Sequence, residues 1–277
     1  MSEIKKAKDR LEVLEKIKQF EKEKLFDLDV ENDPPGKILE PKDVDYLNKK
    51  LSSKIKTKIA NYGGKKLFDG WLKNKKVIFG GVDGIENLKN FSGGAIVTCN
   101  HFNAFDNYAV YLALKKYFKK FTLYKVIREG NYSLPGKLGF FMRHGNTLPL
   151  SENKQTMLNC LKAIDTLLKQ NKLILIYPEQ GMWWNYRKPR PFKIGAFRFA
   201  YRSNVPIIPC FITLKDSNII GDDGFFVQEY FVHIMPLIFP NKNMTEKESS
   251  NKMRDENFEL CKNMYEKIYN QKLVYES

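Results

Sequence analysis

Short apolar runs alternate with amphipathic segments along most of this 277-residue chain, and this alternation is what most restricts its fold. The runs predict strands at 77–79, 95–98, 123–127, 147–150, 173–177, 205–212 and 225–235. The amphipathic segments predict helices at 104–120, 154–170, 195–202 and 252–272. Strands that alternate with helices form a buried, mostly parallel sheet. We therefore expect an α/β fold: a largely parallel central sheet flanked by helices.

A basic N-terminal extension, residues 1–70, precedes the α/β domain expected at 71–277. Residues 1–30 have helical periodicity, and 33–36 break it. A second helix is predicted at 43–62, with lysines beside an apolar stripe of Val44, Leu47, Leu51, Ile55, Ile59 and Tyr62. Such a stripe can lie on anionic lipid or can pack on the core. The sequence leaves both interpretations open.

Composition restricts the partners and the compartment. A formal net charge of +15 predicts a polyanionic partner, either nucleic acid or an anionic membrane face. No apolar run reaches the ~20 residues of a membrane span, and the Lys/Glu-rich N-terminus lacks the apolar segment of a secretory signal. Four widely spaced cysteines without a C-x-x-C pair predict buried thiols, a reducing compartment and no zinc site. We expect a cytoplasmic protein.

One histidine follows a predicted strand at the start of a helix. His101 comes three residues after the 95–98 run, and Asp106 follows five positions later. A carboxylate on one ring nitrogen would leave the other free to accept a proton. Asp106 can also be explained as part of a helix-capping arrangement with Asn103. The other two histidines, His144 and His233, have no acidic residue nearby in sequence and are predicted to be structural.

A second polar segment follows the 173–177 strand. Glu179 lies at the strand end, where it can accept a hydrogen bond from a substrate hydroxyl, and sites in parallel sheets gather at these ends. The next residues mix Trp183, Trp184 and Tyr186 with four cations, Arg187, Lys188, Arg190 and Lys193. Arginine can bind phosphate with two parallel hydrogen bonds, and Trp beside cations suits an amphiphilic ligand. A solvated loop with core tryptophans is the plainer alternative.

Four motifs in this order resemble the glycerolipid acyltransferases, the 1-acyl-glycerol-3-phosphate acyltransferases, across about residues 75–240. They are H-x4-D at His101 and Asp106, P-E at 178–179, K-x-G-A-F-R at 193–198, and V-P-I-I-P at 205–209. The resemblance implies a transferase of phospholipid biosynthesis in which His101 is the general base and Asp106 orients it. The acyl donor would be acyl-CoA or acyl-carrier protein, with no other cofactor and no metal. Glu179 would help to hold a lysophospholipid acceptor.

Two departures from the family pattern concern the acceptor. F-P-E-G-T-R is usual in the family, whereas this chain has Y-P-E-Q-G-M, so phosphate contact would move to Arg187 or Arg190. The family also tends to have an arginine shortly after the strand of its second motif, where this chain has Leu150, Ser151 and Glu152; Arg143 or Arg128 would compensate for its loss. An acceptor other than lysophosphatidic acid is therefore open.

Three function classes follow. The first is an O-acyltransferase peripheral to the inner face of the membrane. The second is a basic nucleic-acid-binding protein, which the dispersed lysines and the lack of an RNA- or DNA-binding motif disfavour; no nucleic acid is expected as a partner. The third is a lipid-binding module that keeps the fold without catalysis, and the intact His101 and Asp106 disfavour it.

Overall fold

The computed structural model describes residues 6–31 and 36–276. Its strands are β1 (Ile78–Asp83), β2 (Ala95–Thr98), β3 (Leu123–Arg128), β4 (Thr147–Leu150), β5 (Leu173–Ile176), β6 (Ile207–Ile220) and β7 (Phe226–Ile234). Within the described ranges they form one sheet in the order β1-β7-β6-β2-β5-β3-β4. The strands β6, β2, β5, β3 and β4 are parallel, whereas β7 is antiparallel to β6 and parallel to β1. The predicted α/β class with a largely parallel sheet is confirmed.

Helices cover both faces of this sheet. They are α1 (Lys8–Lys22), α2 (Leu51–Lys73), α3 (Asp106–Lys115), α4 (Glu129–Tyr132), α5 (Gly136–His144), α6 (Lys154–Lys169), α7 (Gly195–Ser203) and α8 (Glu246–Tyr269). Apolar residues of α6, α7 and α8 form the core on one face. Those of α3, with Phe68, Trp71 and Leu72 of α2, form the core on the other. Burial on both faces explains why β2 and β5 are continuous apolar runs.

Helix α2 is displaced from its prediction at 43–62. The Asp45 carboxylate accepts hydrogen bonds from the backbone N–H groups of Lys49 and Lys50, both at 2.9 Å. Asn48 has a left-handed backbone with φ of 49°. This turn competes with helix formation, because an Asp side chain that binds the following backbone favours a turn. The helix therefore begins at Leu51, and Val44 and Leu47 pack separately on the core.

The same helix continues through Gly63 and Gly64, although the sequence predicted that it would end at residue 62. A side-chain carbon at Gly63 would lie 3.1 Å from the Phe141 ring of α5, so glycine permits close packing of the two helices. Each helical glycine costs about 1 kcal/mol relative to alanine. Burial of Phe68 and Trp71 in the last turns of α2 offsets that cost.

The N-terminal segment packs against the loop after β5. Val13 and Ile17 of α1 and Val30 form a third apolar cluster with Trp183 and Trp184. The predicted helix at 1–30 is shorter, since α1 covers Lys8–Lys22, and its first five residues lie outside the described ranges. Residues 33–35 of the predicted break also lie outside them.

All four cysteines, Cys99, Cys160, Cys210 and Cys261, are buried and unpaired. Burial raises the pKa of each of these thiols, which keeps them protonated. Among the helices of residues 6–31 and 36–276, none combines the length and the apolar character needed to cross a membrane.

Candidate active site

A histidine and an aspartate meet at the carboxyl end of β2. The His101 Nδ1 lies 2.7 Å from Asp106 Oδ2. The same oxygen accepts the backbone N–H of Phe102 at 3.2 Å and of Asn103 at 3.4 Å. Asp106 is fully buried, while the His101 side chain is 22% exposed. The carboxylate therefore binds one side of the ring while part of the ring faces solvent, the arrangement that a general base requires.

The structure places Asp106 against His101, but it does not place Asn103 at the cap of helix α3. Helix α3 begins at Asp106, two residues later than predicted, with Phe105 at the N-cap position and no side-chain cap hydrogen bond. The Asp106 carboxylate accepts the Asn103 N–H at 3.4 Å, and the Asn103 side chain accepts the Phe105 N–H at 3.1 Å, so these contacts belong to the turn before the helix. They help to fix the carboxylate that binds His101.

Asn100 anchors this loop, and sequence analysis did not identify it. Its buried side chain donates to the Ile212 carbonyl at 3.0 Å and accepts the Ile212 N–H at 2.8 Å. These bonds tie the residue before His101 to β6, the neighbouring strand. An amide directly after the apolar 95–98 run was the available signal, since a buried amide must find partners.

Tyr177 forms the second wall of the site. Its ring lies against the His101 ring, with centroids 3.8 Å apart and planes 9° apart. Its hydroxyl donates to Asp106 Oδ1. Burial, and then the Asp106 charge, raise the pKa of Tyr177 well above its usual value, so the hydroxyl stays protonated and acts as a donor. Sequence analysis did not identify Tyr177 because it is the last residue of the apolar run predicted as a strand at 173–177.

Glu179 and Arg190 form a buried pair instead of an exposed binding group. Their side chains lie 2.9 Å apart at exposures of 2% and 0%. Glu179 also accepts the backbone N–H groups of His101 at 3.2 Å and Arg190 at 2.9 Å. Arg190 donates to the carbonyls of Phe26 and Gly181 and lies over the Trp183 ring. Contact with an acceptor, as predicted for both, would require breaking these bonds, which instead hold the loops around His101 together.

The other three predicted binding residues also have protein partners. Arg128, at the carboxyl end of β3 with a side chain 52% exposed, pairs with Asp29 of the N-terminal segment. Arg143 donates to the carbonyls of Tyr132 at 3.2 Å and Leu134 at 2.7 Å. Arg187 pairs with Asp216 of β6 at 2.7 Å. Arg128 lies at the sheet edge that carries His101, because β3 and β2 both run parallel to β5.

A lysine that sequence analysis missed lies on the same face of the sheet as Tyr177. Lys125 of β3 is opposite Leu175 of β5, two residues before Tyr177. Strand alternation places it on the side of Leu123 and Leu175, which belong to the same core as Tyr177. Burial lowers the pKa of Lys125 to about 8. A lysine within a strand signals little by itself, because its burial depends on how the rest of the chain folds around it.

His233 has an acidic partner that is distant in sequence. Its Nδ1 lies 3.6 Å from the Asp83 carboxylate, and its Nε2 lies 2.9 Å from the Thr213 hydroxyl. Burial lowers the pKa of His233, which favours the neutral ring. Among residues 6–31 and 36–276, no group of three or more His, Cys, Asp and Glu side chains is placed to hold a metal ion.

Comparison with known proteins matches the part of the chain that carries the site to a family. Residues 81–213, which contain His101, Asp106 and Glu179, match the Acyltransferase family. A chloroplastic 1-acyl-sn-glycerol-3-phosphate acyltransferase, BAT2 of Brassica napus, is 28% identical over 144 residues. Both similarities agree with the resemblance to the glycerolipid acyltransferases that the motifs indicated. The match covers 52% of this chain and 39% of the Brassica protein.

A solved structure shares the fold. It is the 1-acyl-sn-glycerophosphate (LPA) acyltransferase PlsC of Thermotoga maritima, similar with a TM-score of 0.53 and 21% identity. The alignment covers 80% of this chain and 83% of the PlsC chain.

Proposed function

We propose that this protein is an O-acyltransferase that moves a fatty acyl group from acyl-CoA or acyl-carrier protein to the hydroxyl of a lysophospholipid such as 1-acyl-glycerol-3-phosphate. The observation that carries the proposal is the His101–Asp106 contact of 2.7 Å, with the imidazole partly exposed at the sheet edge. The match of residues 81–213 to the Acyltransferase family and the Brassica relative's name support the choice of reaction.

The proposed chemistry uses the free side of the imidazole. Asp106 accepts the Nδ1 proton, so Nε2 carries the lone pair and removes the proton of the acceptor hydroxyl. The hydroxyl oxygen attacks the thioester carbonyl, the C–O bond forms and the C–S bond breaks. The leaving thiolate then takes the proton from the imidazolium. A positioned base contributes about 10²–10⁴ in rate, and alignment of the two substrates contributes more.

Acceptor binding is proposed at Arg128. Its guanidinium is half-exposed at the same sheet edge as His101 and is paired with Asp29, a carboxylate that a phosphate monoester could replace. The bonds of Arg143, Arg187 and Arg190 support structural roles for these three residues in place of acceptor contact.

We further propose that α2 holds the protein at the inner face of the membrane. Leu51, Ile55, Ile59 and Tyr62 of α2 are 73%, 51%, 56% and 72% exposed, so this stripe does not pack on the core. Lys54, Lys56 and Lys58 are exposed beside it. Each lysine near an anionic surface contributes about 1 kcal/mol. The other end of α2 contacts the residue that precedes α3. The ring centroid of Phe68 lies 5.7 Å from that of Phe105, which is next to Asp106.

A transfer assay tests the proposed function. Purified protein is incubated with labelled acyl-CoA, or with acyl-carrier protein, and a panel of 1-acyl-glycerol-3-phosphate, other lysophospholipids and monoacylglycerol. We expect a labelled diacyl product from at least one acceptor and none from His101→Ala. Absence of product from every donor and acceptor pair, or full activity of His101→Ala, would contradict the proposal. Flotation with anionic liposomes against filter binding of DNA tests the membrane against nucleic acid.

A further inference from the structure

The two oxygens of the Asp106 carboxylate have separate sets of partners. Oδ2 receives His101 Nδ1 and two backbone N–H groups, from Phe102 and Asn103. Oδ1 receives the Tyr177 hydroxyl, which is its one hydrogen-bond donor among the described residues. Rotation of the carboxylate would therefore break the tyrosine bond.

The Tyr177 ring restricts the imidazole as well. At a centroid separation of 3.8 Å and an angle of 9°, the two rings are in stacking contact. Rotation of His101 about its Cβ–Cγ bond would move the ring edge into the tyrosine face. The same residue thus limits both partners of the His101–Asp106 pair, one through its hydroxyl and the other through its ring.

We propose that Tyr177 is a positioning residue for the proposed acyl transfer: its hydroxyl fixes the Asp106 carboxylate and its ring fixes the plane of the His101 imidazole. This inference rests on the proposed function. The resembling family commonly has phenylalanine here, so the ring is shared with the family pattern and the hydroxyl is a feature of this chain.

The hydroxyl also has an electrostatic effect. A donor on Oδ1 disperses the negative charge of the carboxylate and weakens its attraction for the protonated imidazole. Removal of the hydroxyl would concentrate that charge toward His101. The base would then stay protonated to higher pH, so the acid limb of the activity profile would move upward.

The test compares Tyr177→Phe with Tyr46→Phe. Tyr46 is a matched control, because it is a buried tyrosine whose hydroxyl donates to a backbone carbonyl, that of Pro149, at 2.8 Å. For Tyr177→Phe we expect a kcat about tenfold lower, consistent with one lost bond to a charged group. We also expect a KM within twofold of the wild type and an acid limb of kcat/KM at higher pH. Tyr177→Leu, which also removes the ring, should lower kcat further.

A second readout does not depend on activity. The chain has three histidines, so the Nδ1 proton of His101 can be assigned by NMR on ¹⁵N-histidine-labelled protein with His101→Ala as reference. We expect a protected Nδ1–H resonance in wild type and Tyr46→Phe, and faster exchange with water in Tyr177→Phe. Unchanged exchange together with an unchanged pH profile would overturn the positioning role. If the protein did not catalyse the proposed acyl transfer but Tyr177 did position His101, the difference in Nδ1–H exchange between wild type and Tyr177→Phe would still be observed.

Discussion

The carboxylate of Glu179 lies 2.9 Å from the guanidinium of Arg190, and neither side chain reaches solvent. Glu179 follows β5 and also accepts the His101 backbone N–H, so the pair connects the end of β5 to the loop that carries His101. Glu179 and Arg190 were predicted from their charges to bind substrate, whereas in the structure they bind each other and hold the loops beside His101.

Removal of one member of this pair should reduce stability strongly. Arg190→Met leaves the Glu179 carboxylate buried without its counter-ion, and breaking a buried pair costs about 3–5 kcal/mol. Chemical denaturation measures the loss in the free energy of unfolding. Arg187→Met is the control, because its pair with Asp216 is partly exposed and should cost about 1 kcal/mol or less. Equal stability of the two variants, with a selective rise in KM for the acceptor in Arg190→Met, would restore the binding role.

Asp106→Asn should nearly abolish transfer. The amide cannot hold the imidazole in the required tautomer as the carboxylate does, and the comparable change in the Ser-His-Asp template lowers kcat about 10⁴-fold. Steady-state kinetics measure the loss, and circular dichroism checks the fold. Asp69→Asn, which alters a half-exposed carboxylate bonded to Tyr108, serves as the control. A loss below tenfold in Asp106→Asn would exclude the orienting role.

Charge on the α2 stripe should release the protein from lipid. The double change Ile55→Glu and Ile59→Glu places two acids among exposed apolar side chains. Since burial of an Ile side chain contributes about 1.5–3 kcal/mol, we expect liposome affinity to fall more than tenfold. Flotation with phosphatidylglycerol vesicles is the assay. The control Ile268→Glu, at a 45% exposed position on α8, should float like the wild type. Equal flotation of the wild type, the double variant and the control would contradict membrane binding through the α2 stripe.

Lys125 should make stability depend on pH. Its pKa is about 8 when folded and 10.5 when exposed, so the unfolded chain binds more protons between these values. Wild-type stability therefore gains from rising pH in this window. Lys125→Met removes the charge, and we expect it to be more stable by about 1–2 kcal/mol below pH 8, with the difference shrinking toward pH 10. Urea denaturation of both proteins across pH 7–10 measures this difference. A constant difference would contradict the burial of the ammonium group.

The local sequence pattern was sufficient for strands β2 and β4. Their bounds agree with prediction, because each is a short, mostly apolar run between polar or turn residues. The sequence predicted no helix between 127 and 147, where α5 lies, since Gly136 and Gly139 lower the helix propensity of that segment. Helix α5 forms because its Phe141 packs at Gly63 of α2, a contact between residues far apart in sequence.

In the site, too, contacts between residues close in sequence could be predicted, whereas contacts between distant residues could not. His101 and Asp106 are five residues apart at a strand-to-helix turn, so their spacing predicts their contact. The Arg128–Asp29 pair joins residues 99 positions apart, which no local pattern contains. Tyr177 follows an apolar strand and resembles a core residue in sequence, whereas its orientation toward His101 depends on the neighbouring β2.

The burial of every native thiol makes the surface of this protein unreactive to maleimide reagents while it is folded. A cysteine introduced at the exposed Ile59 position would thus accept a fluorescent or spin label selectively, with the native cysteines left in place. Depth quenching of that label would then report how far the helix enters a bilayer.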